Sequence, residues 1–252
     1  MLTITGLSKS ATLRKDPILQ DINLQLAEGE FCIIIGSNGS GKSSLLKTIS
    51  GEYTADTGEI YLNNISIASL PMHTRASMIG SVVQDISKIT MSEMTLLENM
   101  VVSYLRDKNP SLGLYSNYAP QIHKILSTLN LGLEKYLYQP MASLSGGQRQ
   151  IIATLMAIIS DTKLLLLDEH TSALDAKTQL SMMRYTVDKI ESKKITTLMV
   201  THNLTDAIEY GDRIIILHHG KIAFDIKSNE KLTMNTEHLL RILHSLEDIE
   251  RY

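Results

Sequence analysis

The 252-residue sequence predicts an α/β domain: a mostly parallel sheet covered by helices, with a helical lobe inserted into it. Three observations carry this expectation. Short apolar runs that read as strands alternate with helical runs over most of the chain, the pattern of a parallel sheet with crossover helices. One such strand, Phe31–Ile35, leads through a glycine-rich turn directly into a helical run. From about Thr90 to Ser160, strand signals cease and helical periodicity takes over.

The elements follow in order. Leu2–Thr5 and Ile22–Leu26 alternate apolar and polar residues, as half-exposed strands do. Phe31–Ile35 is continuously apolar and Gly36 ends it. A helix is expected from Lys42 to Ser50, with Leu45, Leu46 and Ile49 on its core face and Gly51 as its C-terminal cap. Glu59–Asn63 and Gly80–Gln84 read as further strands. The helical lobe is interrupted at Asn109–Gly113 and at Gln139–Gly147. Strands resume at Lys163–Leu167, Thr196–Thr201, Arg213–Leu217 and Lys221–Ile226. Leu164 to Leu167 is apolar at every position, which suits a central parallel strand buried on both faces. Thr236–Glu250 carries Leu239, Leu243, Leu246 and Ile249 at helical spacing, for packing on its own domain or against a partner. The expected division is an α/β core at 1–89 and 160–228, a helical subdomain at 90–159 and a C-terminal helical tail at 229–252.

Composition narrows the classes of function. A net charge of −3 removes the electrostatic case for nucleic acid or anionic lipid as the main partner. Ile151–Ile159, the most apolar helical stretch, is far too short to cross a bilayer. MLTITGLSK lacks the basic start and apolar core of a signal peptide, so work at a membrane would need another chain to hold this one there. The single cysteine, Cys32, sits within FCIII and reads as a buried, reduced thiol.

The chemistry concentrates in a few motifs. Gly36–Ser43 reads GSNGSGKS and fits the phosphate-binding loop pattern, with a strand before it and a helix after. Glycines let the backbone turn so that successive N–H groups surround phosphates. The helix start at Lys42 adds positive potential. The Lys42 ammonium is expected on the β- and γ-phosphates and the Ser43 hydroxyl on Mg²⁺. Leu144–Gln150 reads LSGGQRQ. There Ser145, Gly146 and Gly147 stand where a helix should begin, so their free N–H groups can receive an anion. A chain with one phosphate cradle has little need of a second, and the economical reading is that this one is lent to another copy.

Leu164–His170 reads LLLLDEH. Asp168 stands at the end of the buried strand, where ligands of open α/β sheets gather, and an acid there can hold Mg²⁺ through water. Glu169 follows and faces away from Asp168, as suits a general base that activates water. The alternative is that both acids cap the next helix. His202 ends the TTLMV strand on the same edge of the sheet and reads as a γ-phosphate contact, against a structural role. Gln84, at the end of its strand, can meet Mg²⁺ or the attacking water.

The combined order of GSNGSGKS, Gln84, LSGGQRQ, LLLLDE, SALD (Ser172–Asp175) and His202 resembles the nucleotide-binding subunit of ABC transporters, from Leu2 to about Ile226. The resemblance implies a P-loop NTPase (RecA-like) core with a parallel or mixed sheet, antiparallel β elements and an inserted helical subdomain. It implies that Ser37, Asn38, Gly39, Ser40, Gly41, Lys42, Ser43 and Ser44 hold ATP, and that Ser43, Gln84 and Asp168 serve Mg²⁺. Glu169 would be the catalytic base and His202 the switch histidine. Ser145, Gly146, Gly147 and Gln148 would contact the γ-phosphate held by a second subunit, and Asp175 would lie in the loop that communicates across the dimer. Asp85–Glu98 would receive a helix from an integral membrane permease. That places the chain peripherally on the cytoplasmic face of the membrane, with an extracytoplasmic solute-binding protein in the same system.

Two departures stand out. Family members usually place an aromatic ring after the first strand to stack on adenine. Aligning on Leu7-Ser8-Lys9 puts Ala11 there, and no aromatic occurs between Leu2 and Gln25. The residue after Glu169 is commonly proline, and here it is His170. DEHTSALD, TTLMVTHN and YGDRIIILHHGKI resemble a smaller bacterial group paired with a permease and a binding protein for aromatic amino acids or similar small solutes. The expectation is an ATPase that dimerises around two ATP and drives a permease, importing a solute such as an amino acid. The alternative is a soluble ABC-type ATPase of a cofactor-assembly or other non-transport complex.

Overall fold

The computed structural model describes residues 1–11, 17–106 and 114–248. The break expected at Asn109–Gly113 and the helical position Ile249 lie outside the described residues. Along the chain the strands are β1 (Leu2–Ser10), β2 (Pro17–Leu26), β3 (Phe31–Ile35), β4 (Thr57–Leu62), β5 (Ile65–Ser66), β6 (Ile79–Val82), β7 (Leu164–Asp168), β8 (Thr196–Val200), β9 (Arg213–His218) and β10 (Lys221–Ile226). The helices are α1 (Lys42–Ser50), α2 (Met72–Arg75), α3 (Leu96–Tyr104), α4 (Ala119–Thr128), α5 (Gly146–Ile159), α6 (Ala176–Lys193), α7 (Leu204–Glu209), α8 (Ser228–Lys231) and α9 (Thr236–Asp248). The chain forms two compact units, one of residues 1–75 and 194–252, the other of residues 76–193.

The first unit holds an antiparallel sheet in the order β2-β1-β4-β5. Leu2 pairs with both Leu26 and Leu62, and the alternation buries Leu2, Ile4, Leu24, Leu26, Ile60 and Leu62. β1 runs past the expected Thr5 because it tolerates irregularities after Ile4 that a strict period of two does not show. Beside this sheet, β3 pairs in parallel with β8 on one side and β9 on the other, and β10 returns antiparallel to β9. Every residue of β3 and β8 is buried, as their unbroken apolar runs require. Cys32 is fully buried, and burial pushes its thiol far above the usual range, so it stays a thiol. Arg75, only 3% exposed, donates to the carbonyls of Thr48, Ile49, Ala68 and Leu70. It thereby satisfies carbonyls that the end of α1 would leave unpaired. α9 packs against α7 through the buried Leu239.

In the second unit β6 and β7 pair in parallel, Ile79 with Leu164 through Val82 with Leu167. α3, α4 and α5 close over a core that includes Leu97, Met100, Ile122, Leu126, Ile152 and Leu155. α5 crosses β6 so closely that a Cβ on Gly80 would lie 2.3 Å from the Ala157 carbonyl oxygen. Gly80→Ala should therefore cost about 1–3 kcal/mol, read as a lowered Tm. A Tm within about a degree of the parent would contradict this packing. Among the described residues, no helix is long and apolar enough to cross a membrane.

Candidate active site

In the first unit, strand register fixes two functional positions. Ile34 pairs with Val200, so Gly36 and His202 each lie two residues past a paired position and leave the same carboxyl edge of the sheet. His202 is thus beyond β8 rather than its last residue. It is exposed, between Thr201, whose Oγ1 accepts the Asn203 N–H, and Asn203, whose side chain caps α7. Gly36 turns at φ 149°, and a Cβ there would lie 2.1 Å from the Leu217 carbonyl oxygen. Gly41, at φ 102°, would bring a Cβ to 2.8 Å from the Ile18 carbonyl oxygen. Only glycine fits at either place.

The loop is closed by the Ser40 N–H on the Ser37 carbonyl at 3.3 Å and the Gly220 N–H on the Ser40 carbonyl at 2.9 Å. α1 begins with no acidic residue in its first turn and no side-chain cap on Gly41. The N–H groups of Lys42, Ser43 and Ser44 therefore form an uncapped helix start, an arrangement that receives phosphate. Lys42 is 6% exposed, and its Nζ donates to the carbonyls of Gly36 and Ser37, both at 2.8 Å. The cation is held inside the curve of the loop, so glycine geometry, helix start and charge fit a bound polyphosphate.

The second unit repeats the strand-end device. Val82 pairs with Leu167, so Gln84 and Glu169 each stand two residues past that pair, with Asp168 the last residue of β7. Gln84 lies outside β6, because pairing with β7 stops at Val82 although the apolar pattern runs on. Asp168 is 4% exposed, Glu169 half-buried and Gln84 exposed. Glu169 has φ 51°, a left-handed conformation that costs a residue with a Cβ roughly 1–2 kcal/mol. Its carbonyl accepts the Gln150 side-chain amide at 3.0 Å and the Ser172 N–H at 3.0 Å. His170 is 2% exposed, its Nε2 has no hydrogen-bond partner among the described residues, and burial pushes its pKa down to about 4. It therefore adds no charge beside the two acids at neutral pH.

α5 starts where the heptad places it. Ser145 is the N-cap: its Oγ accepts the Gln148 N–H at 3.2 Å, and the Gln148 Oε1 accepts the Ser145 N–H at 2.9 Å. This capping box takes two of the four N–H groups a helix start leaves over and passes by those of Gly146 and Gly147. A Cβ on Gly147 would touch Leu174 at 3.3 Å and the Ala173 carbonyl at 3.4 Å, whereas one on Gly146 would meet nothing within 4 Å. α6 is capped by Asp175, which accepts the N–H groups of Lys177 and Thr178 at 3.2 and 3.1 Å. Hydrogen bonds from Thr178 hold its carboxyl below the usual range. The next helix after the strand is thus capped by Asp175 and not by Asp168 or Glu169. No group of three or more His, Cys, Asp or Glu among the described residues could hold a metal on its own.

A family model described as ABC transporter matches residues 19–172. The chain belongs to that family. It is the ATP-binding subunit of an ABC transporter, and an ATPase. Over 244 residues it is 39% identical to a tyrosine transport ATP-binding protein of Clostridioides difficile (strain R20291), covering 95% of this chain and 97% of that one. Over 225 residues it is 33% identical to a spermidine/putrescine import ATP-binding protein of Vibrio cholerae, covering 89% of this chain and 56% of that protein. A solved ATP-binding cassette, dimeric in a post-hydrolysis state with ADP and Pi, superposes with a TM-score of 0.81 at 28% identity. It covers 90% of this chain and 99% of that one.

Two residues escaped the sequence reading. Gln150, the last letter of the heptad, reaches Glu169 by a contact 19 residues away in sequence. Its signal was a buried amide three positions after Gly147, on the same helix face. Asn99, 2% exposed, bonds the backbone of Met91, Met94 and Thr95 and fixes that loop. An asparagine inside a helical pattern was its only mark.

Proposed function

We propose that residues 37–44, Gln84, Asp168, Glu169 and His202 serve one ATP, and that residues 145–148 of a second copy complete its site, so that two copies enclose two ATP. The observation that carries this reading is Gly146. It is the first residue of α5, the capping box passes its N–H by, and among the described residues a Cβ there would meet nothing within 4 Å. An anion approaching from outside would fill that space. The family resemblance and the dimeric cassette of similar fold support the same arrangement.

The loop N–H groups and Lys42 bind the β- and γ-phosphates. Mg²⁺, when bound, supplies charge neutralisation at those phosphates, with Ser43, Gln84 and Asp168 to hold it. Glu169 takes a proton from water as the water oxygen bonds to the γ-phosphorus. The bond from that phosphorus to the bridging oxygen breaks, and ADP leaves with the electron pair. His202 contacts the γ-phosphate, and the Gly146 and Gly147 N–H groups stabilise its charge only when the copies close. Asp175 lies at the seam between copies.

We further propose that residues 85–98 and the groove beside them receive a permease helix on the cytoplasmic face of the membrane, with 90–159 as the helical subdomain. A cavity of about 220 Å³ lies there, lined by Ser81, Ile89, Met91, Val102, Arg106 and Met156. Met91 and Val102 are 54% and 49% exposed, an adaptable apolar rim. Import of an amino acid, with an external binding protein, is supported by the likeness to the tyrosine transport protein. Ser145→Arg tests the shared site, placing a long cation on an exposed cap. Light scattering should show no ATP-dependent dimer, with nucleotide binding to the single copy within about threefold of the parent. A variant that dimerises and hydrolyses like the parent would remove the shared site.

A further inference from the structure

We propose that Gln150 is a positioning residue that ties the start of α5 to the backbone of Glu169 in the same chain, an inference that rests on the reading of Glu169 as the base. Gln150 is 5% exposed. Its Nε2 donates to the Glu169 carbonyl at 3.0 Å, and its Oε1 accepts the Ala173 N–H at 3.3 Å. One amide therefore grips both ends of residues 169–173. That segment is itself a turn, closed by the Ser172 N–H on the Glu169 carbonyl at 3.0 Å. It continues through the Leu174 N–H on the Thr171 carbonyl at 3.1 Å to Asp175, the cap of α6.

The left-handed φ of 51° at Glu169 persists only if its surroundings hold it. Two donors on one carbonyl do so, and Gln150 is the donor that comes from a different element. Gly147 lies three residues earlier on the same helix face and meets Ala173 and Leu174. The start of α5 thus abuts residues 169–174 twice, once by close packing and once by hydrogen bonds. Any shift of that helix start on meeting a partner's nucleotide is passed to the peptide that aims Glu169. Engagement at one nucleotide and the aim of the base at the other become linked through this contact, with the Gln150 amide as its hydrogen-bonded part.

The test is the steady-state ATPase of the purified chain over a range of ATP concentrations. Gln150→Met keeps the volume and removes both polar ends. It should lower kcat tenfold or more with the KM for ATP within about twofold, since the phosphate loop is untouched. Thr154→Val removes a more deeply buried bond one turn along the same helix, Thr154 Oγ1 on the Gln150 carbonyl at 2.9 Å, and should keep kcat within about twofold. In a Glu169→Gln background, Gln150→Met should cause no further loss, because it acts through that residue. The proposal is overturned by a Gln150→Met kcat within twofold of the parent. Equal loss in Thr154→Val, or an undiminished extra loss in the Glu169→Gln background, overturns it as well. Should Gln150→Met not fold, Gln150→Asn, whose amide is withdrawn by one methylene, is held to the same limits. Parent-rate hydrolysis by Glu169→Gln would overturn the base assignment and this role together. An inactive Glu169→Gln beside a fully active Gln150→Met would overturn the positioning role alone.

Discussion

Glu169→Gln is expected to lower ATP hydrolysis by roughly 10²–10⁴-fold, the usual worth of a positioned general base. Gln has the same shape and the same left-handed backbone cost, so the fold and the bond from Gln150 to the residue 169 carbonyl survive. The loss of one negative charge near the phosphates does not weaken ATP binding. In the proposed cycle hydrolysis reopens the closed pair, so the variant should accumulate as an ATP-bound dimer. Single-turnover hydrolysis and size-exclusion chromatography with ATP read the two effects separately. Hydrolysis at the parent rate would show that another group takes the proton. Lost hydrolysis without dimer accumulation would instead break the link between nucleotide and closure.

The second large effect comes from mixing two inactive variants. Lys42→Ala removes the cation held by the Gly36 and Ser37 carbonyls. Ser145→Arg obstructs the exposed cap of α5. Each should hydrolyse almost no ATP alone. In a two-fold dimer the defects fall on opposite sides of each site, so a mixed pair carries both at one nucleotide and neither at the other. A mixed pair keeps one whole site of two, so the mixture should regain hydrolysis that neither variant shows alone, at up to about half the parent rate. Silence in a mixture shown by light scattering to contain dimers would mean that each active site lies within a single chain.

Local signals explain most of what the sequence revealed. α1 spans Lys42–Ser50 with Gly51 as its left-handed cap, as the apolar face and the glycine announced. β3 and β8 are buried on both faces because their runs contain no polar break. The start of α5 at Gly146 was readable because Ser, two glycines and Gln form a capping box. What escaped was set by pairing between distant segments. Gln84 follows an apolar run that reaches Val83, and only the register with β7 shows that the strand ends at Val82. Nothing in the letters DEH marks a left-handed glutamate, since that conformation is imposed by bonds from Gln150 and Ser172. The resemblance assigns Asp175 to communication between copies, and its cap on α6 follows from its place just before that helix.

Gly146 carries a lesson for engineering. A designer asked to improve this chain on its own could write alanine there, since the space is open. On the proposed pairing, the redesigned chain would pass every assay of expression and melting temperature and fail only when paired. Residues whose purpose lies in an assembly are invisible to optimisation of the single chain, and an empty direction above a glycine at a helix start is one way to find them before they are edited away.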